Sequence, residues 1–269
     1  MSHILFINTT NSQPIYAQPI ASTLFYTNKG KDLFLIDCGE GIANQLIQMK
    51  VPIERIRGII ITSSQANRSS GIGGIVHIIS FSTKGKITIV GPKGIKMLVD
   101  SLFEYCGEKS PEPINYIELN VTEITQLNIC NIQFTVIPSV HNNSIPNYGI
   151  ICQIKNRQLN QKTVVMFNGD IRNFSPLINH IQNNKIQIDM LVYDYIINQN
   201  TKIQRKCECP TPDIISNIVN GCICPSKFVI RCYSSKCVEK EINEIINHIQ
   251  NETQIQTLVA YNGTNVTLF

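Results

Sequence analysis

Apolar residues fall in short, isoleucine-rich runs along this chain, and most runs have the length of strands rather than helices. Residues 4–8, 22–27 and 32–37 read as three strands, the last two turned at Asn28-Lys29-Gly30. Residues 42–50 carry helical spacing at Ile42, Leu46, Ile47 and Met49. Residues 57–62 form an apolar strand through Ile59, Ile60 and Ile61, followed by a polar loop and a glycine-rich helix start at Gly71, Gly73 and Gly74. An apolar helix over 72–81, a strand over 86–90 closed by Gly91-Pro92, and a helix over 95–106 come next. Strands follow at 114–119, 130–138, 148–154 and 163–167. Helix and strand then alternate at 176–182, 190–193, 212–219 and 228–230, before a last helix striped by Val238, Ile242, Ile245, Ile246 and Ile249. A strand-rich first half and an α/β second half, with no linker between them, predict one domain over 1–269. Two mixed β-sheets sandwiched by helices fit this order.

Composition supports a folded chain. Of 269 residues, 43% are hydrophobic and 16% charged, which permits a sizeable core and argues against disorder. A net charge of +4 is compatible with RNA binding but falls far short of a dedicated nucleic-acid coat. The N-terminus shows no secretory leader, and no run approaches the roughly 18 apolar residues of a membrane span. With ten cysteines, the expectation is therefore a reducing compartment: cytoplasmic, or the stroma or matrix of an organelle, and not secreted. The excess of isoleucine, asparagine and lysine fits an AT-rich source, with a plastid among the candidates.

Two apolar strands deliver polar residues to adjoining loops: LIDCGEG at 35–41 and RGIIITSSQANRSSGIGGI at 57–75. Further blocks stand at 140–149 (VHNNSIPNYG), 167–170 (FNGD), 193–196 (YDYI), 209–211 (CPT) and 231–236 (RCYSSK). In this order they resemble the ribonuclease Z (tRNA 3′-processing endonuclease) branch of the metallo-β-lactamase superfamily. The resemblance runs nearly the full length and implies a four-layer αββα sandwich. It also implies a two-zinc phosphodiester hydrolase acting on tRNA, often as a dimer.

The frame is kept and the ligands are not. The family's seven metal-ligand positions fall on Ser63, Gln65, Asn67, Arg68, His141, Asp170 and Cys232. His141 and Asp170 alone keep the family's identity. Ser63, Gln65 and Asn67 are weak neutral donors, and a fixed cation at Arg68 repels a dication. The expectation is that the first zinc site is lost, and that Arg68 pairs with Asp170 in the vacated cavity. His141, Asp170 and Cys232 could still hold at most one zinc, with Cys209 as a fourth donor. Against this stands the plainer reading that Cys232 only fills space. The family's proton-transfer pair maps to Asp194 and Cys209, poorly suited to that work. Two C-x-C pairs, Cys207 with Cys209 and Cys222 with Cys224, flank one predicted helix whose ends lie roughly 12 Å apart, too far for a shared tetrahedral site unless the chain folds back. The long tRNA-gripping arm of the family is reduced to a hairpin between the strands near Cys152 and Thr163.

Three readings follow. In the first, the protein is hydrolytically inactive and acts as an RNA-associated or partner subunit, in a homodimer or in a heterodimer with an active paralogue. Arg68, Arg231 and Lys236 would then contact tRNA or other RNA phosphates. The second is a diverged active tRNA 3′ endonuclease using one zinc or a non-standard ligand set. The third is a structural subunit of a larger assembly with no RNA role.

Overall fold

The computed structural model describes residues 2–8, 22–27, 31–82, 86–111, 113–140, 145–156, 161–169, 171, 173–194, 212–223, 225–231 and 239–268. The elements run β1 (His3–Asn8), β2 (Ser22–Thr27), β3 (Asp32–Ile36), α1 (Ile42–Gln48), β4 (Ile56–Ile60), α2 (Ala66–Ser69), α3 (Ile72–Ser82), β5 (Ile87–Pro92) and α4 (Ile95–Tyr105). Then come β6 (Ile114–Leu119), β7 (Thr125–Ile129), β8 (Ile132–Val140), β9 (Pro146–Asn156), β10 (Gln161–Phe167), α5 (Ser175–Asn183) and β11 (Met190–Asp194). The last are α6 (Pro212–Ile218), β12 (Lys227–Arg231), α7 (Glu239–Thr253), β13 (Gln256–Val259) and β14 (Asn265–Thr267).

Two seven-stranded sheets result, ordered β14-β1-β2-β3-β4-β5-β6 and β13-β12-β11-β10-β9-β8-β7. Each is mixed. In the first, β14 to β3 pair antiparallel and β3 to β6 parallel. In the second, β10 to β13 are parallel and β7 to β10 antiparallel. The parallel strands are buried on both faces, which is why β3, β4 and β11 read as near-continuous apolar runs rather than alternating ones.

Three apolar layers hold the sandwich. The central one interleaves both sheets: Ile4, Phe25, Phe34 and Ile60 meet Phe134, Ile150, Phe167 and Val192. A second packs α1, α3 and α4 on the first sheet through Leu46, Ile75, Val76, Val99 and Phe103. A third packs α5, α6 and α7 on the second through Leu177, Ile181, Ile215 and Ile249. The order is helix, sheet, sheet, helix, as expected.

Some local readings change. The polar loop after β4 contains the short helix α2, and β7, β13 and β14 are strands that the apolar pattern did not announce. The hairpin expectation holds: β9 and β10 pair in register from Asn156 with Gln161 to Ile150 with Phe167, so four residues connect them.

Candidate functional site

The parallel halves of both sheets end on the same side of the central layer, and their carboxyl ends supply the polar residues. Outside such strand ends is where open α/β sheets build sites. Asp37 follows β3 at φ 61, a left-handed conformation that aspartate tolerates better than most residues. Its backbone N–H donates to the Ile60 carbonyl at 2.8 Å. Its Oδ1 accepts from the Thr62 backbone N–H at 2.9 Å and from the Thr62 hydroxyl at 2.7 Å. Asp37 therefore buttresses the loop after β4.

That loop is folded tightly enough to carry Arg68 inward. The Gln65 N–H reaches Ser63 Oγ at 3.3 Å, and α2 begins there. The Arg68 carbonyl accepts from Cys38 N–H at 2.7 Å, and Gly71 N–H donates to the Cys38 carbonyl at 2.8 Å. A Cβ on Gly71 would stand 2.1 Å from the Gly39 carbonyl oxygen, so glycine permits this close approach.

Asp194 and Arg231 end adjacent parallel strands, β11 and β12, and are paired in register. Asp194, Arg231, Asp37 and Arg68 are all buried, Arg68 and Arg231 completely. Arg231 grips Asp194 bidentately: Nε to Oδ1 at 2.6 Å and Nη2 to Oδ2 at 2.9 Å. Its Nη1 donates to Thr23 Oγ1 at 2.6 Å, and its Nη2 lies 3.5 Å from Asp37 Oδ2. Arg68 bridges the two carboxylates, with Nη1 2.9 Å from Asp37 Oδ2 and Nη2 2.7 Å from Asp194 Oδ2. Among the described residues, two guanidiniums thus meet two carboxylates in a centre spanning both sheets.

Burial alone would push the Asp194 carboxyl up. The charges of Arg231 and Arg68, with the hydrogen bonds both donate, outweigh it and hold the group at about 2. The Asp194 N–H also donates to Asn168 Oδ1 at 2.8 Å. Among the described residues, Asn168 Nδ2 and both polar side-chain atoms of Asn147 are buried without hydrogen-bond partners. Gly169, at φ 60, sits where a Cβ would be 2.2 Å from the Tyr148 carbonyl oxygen.

Several expectations are revised by this geometry. Among the described residues, the carboxylates that receive Arg68 are those of Asp37 and Asp194; the expected partner Asp170 lies outside the described residues, so that pairing is not among the expectations revised. Arg68 and Arg231 are internal, each committed to carboxylates, so neither presents its guanidinium to an RNA phosphate. Asp194 is a fixed anion held between two cations, which unsuits it as a proton donor. His141, Cys209, Cys232, Lys236, Cys207 and Cys224 lie outside the described residues, as does the side chain of Cys222. The share of Arg231, Thr23 and Asp37 in the centre was missed, although one signal was legible: two apolar strands, MLVYD and KFVIR, end on opposite charges.

The fold implies metal ions held at the ligand positions. Ser63 Oγ is engaged by a backbone N–H, Gln65 and Asn67 are neutral, and Arg68 is a cation among carboxylates. Among the described residues no group of three or more His, Cys, Asp or Glu side chains could hold a metal ion. The described positions do not fit a dication: the anions here are already neutralised by guanidinium groups.

The chain is similar to several known proteins. It is 24% identical over 149 residues to a ribonuclease Z of Prochlorococcus marinus, covering 55% of this chain and 48% of that protein. To a ribonuclease Z of Ignicoccus hospitalis it is 30% identical over 118 residues, covering 43% and 38%. The chain thus spans less than half the length of these curated relatives. Solved structures match over the whole length. The metallo-β-lactamase fold protein YhfI of Bacillus subtilis aligns with a TM-score of 0.76 at 13% identity, covering 99% of this chain and 100% of that one. The short form of human tRNase Z aligns at 0.74 and 15%, covering 99% of each. A family model described as "Anti-Pycsar protein Apyc1" matches residues 5–205. Its fold is that of metallo-β-lactamase fold proteins, and the chain belongs to the Anti-Pycsar protein Apyc1 family.

Proposed function

We propose that this protein is a non-hydrolytic member of its branch, related to tRNA 3′-end processing, that works by binding rather than by cutting. The observation that carries the reading is Arg68, a cation at a metal-ligand position, clamped between the carboxylates of Asp37 and Asp194. A hydrolase of this fold needs a metal-activated water; a guanidinium can hydrogen-bond a water but cannot coordinate it and lower its pKa as a metal ion does. The role of a partner subunit is favoured over direct RNA contact. Arg68 and Arg231 are internal, while α3 and α4 expose Phe81 (78%), Met97 (70%) and Tyr105 (91%) to solvent. Such a face suits self-association or pairing with an active paralogue.

The family match supports a second reading, in which the same binding role opposes the system named in "Anti-Pycsar". Precursor tRNA decides between the readings. The purified chain is expected to leave it uncut with and without added zinc. Affinity that weakens steeply with salt would support the tRNA setting. No affinity would leave the second reading. Zinc-dependent 3′ cleavage abolished by His141→Ala would overturn the non-hydrolytic proposal.

A further inference from the structure

In a metalloprotein of this architecture the ions join carboxylates and imidazoles from different strand ends, so metal binding is also folding energy. Here the joining is done by the chain itself. The first sheet contributes Asp37 after β3 and Arg68 after β4; the second contributes Asp194 and Arg231 at the ends of β11 and β12. Among the described residues, each sheet thus brings one anion and one cation. Arg68 reaches across from the first sheet to Asp194 at 2.7 Å. Arg231 reaches back to Thr23 at 2.6 Å and to Asp37 at 3.5 Å. Guanidinium suits this role because its planar donors can engage two carboxylates at once, and because it stays charged when buried.

We propose that Arg68 and Arg231 are a built-in substitute for the metal ions, holding the strand ends of the two sheets together and excluding dications from Asp37 and Asp194. The inference rests on the reading of a site without a two-metal centre, and goes further. A chain can lose its ligands without gaining a substitute, in which case the arginines would contribute nothing to joining the sheets.

The test is the melting temperature of the full chain and its variants, each with a chelator, with zinc, and with millimolar methylguanidinium. The wild-type protein is expected to melt at one temperature under all three conditions. Arg68→Ala is expected to melt lower by on the order of 10 °C, and methylguanidinium should recover part of that loss in the variant alone. The double variant Arg68→Ala with Asp194→Asn removes one charge of each sign and should melt above Arg68→Ala. It also keeps the test open if the single variant does not fold. A wild-type melting temperature that rises with zinc and falls with chelator would overturn the substitution. So would an Arg68→Ala protein that melts like the wild type, or a double variant no better than the single one. These outcomes are separate from the hydrolysis question: zinc-dependent tRNA cleavage would sink the non-hydrolytic reading and leave the melting comparison standing.

Discussion

Among the described residues, removing the carboxylate of Asp194 would leave two buried guanidiniums facing the carboxylate of Asp37. Taking away one partner of a buried charge set costs about 3–5 kcal/mol, because the remaining charge keeps its desolvation penalty. Asp194→Asn is therefore expected to lower unfolding stability by about that amount in a urea titration. The half-exposed pair of Lys96 and Asp100 on α4 is the control. Asp100→Asn should change stability by no more than about 1 kcal/mol, since solvent and salt screen such pairs. Stability should also depend on acid. The Asp194 carboxyl sits at about 2 in the fold against an ordinary value of 3.8. A depressed carboxyl stabilises the fold above its unfolded value and ceases to do so as pH falls through its folded one. The contribution should be intact above about pH 4 and lost progressively toward pH 2, read as the wild-type unfolding midpoint set against that of Asp194→Asn. The resemblance placed Ser63, Gln65, Asn67 and Arg68 at metal-ligand positions, from the sequence alone. It did not make Arg68's partners visible, because these depend on the loops of two sheets converging, and no local pattern encodes that convergence.

At the scale of elements, the segment from β3 to α3 holds Arg68 in place, and its glycines differ in what they tolerate. A Cβ at Gly71 would collide with backbone, at 2.1 Å from the Gly39 carbonyl oxygen and 2.9 Å from the Gly39 carbon. Gly71→Ala should cost about 1–3 kcal/mol or more. Gly74, inside α3, meets only the Ala43 Cβ at 3.6 Å, an ordinary contact. Gly74→Ala should stabilise the helix by about 0.5–1 kcal/mol. Thermal melting of the two variants side by side reads the contrast; equal effects would contradict this account of the loop. Elements with long buried runs, such as β3, β4 and β11, were legible in the sequence. The strand β7, with the burial pattern of a half-covered edge, was not, and neither were the four-residue β13 and three-residue β14. Short strands acquire their identity from the neighbour they pair with rather than from their own periodicity.

Across the whole molecule, the sandwich has the metallo-β-lactamase fold, and among the described residues its centre joins two arginines to two carboxylates. The apolar face of α3 and α4 makes association a property to measure: sedimentation of the wild-type chain should show self-association that Met97→Glu with Tyr105→Glu weakens, if a second copy is the partner. Among the described residues no helix is long and apolar enough to cross a membrane. The central claim concerns metal, and the most direct measurement is the zinc content per chain, by elemental analysis, of protein purified without added metal or chelator. Near zero zinc per chain is predicted, because the Ser63, Gln65, Asn67 and Arg68 positions do not fit an ion and Asp37 and Asp194 are paired with guanidiniums from within. Two zinc ions per chain would contradict the account and return the chain to the two-metal hydrolases of its fold.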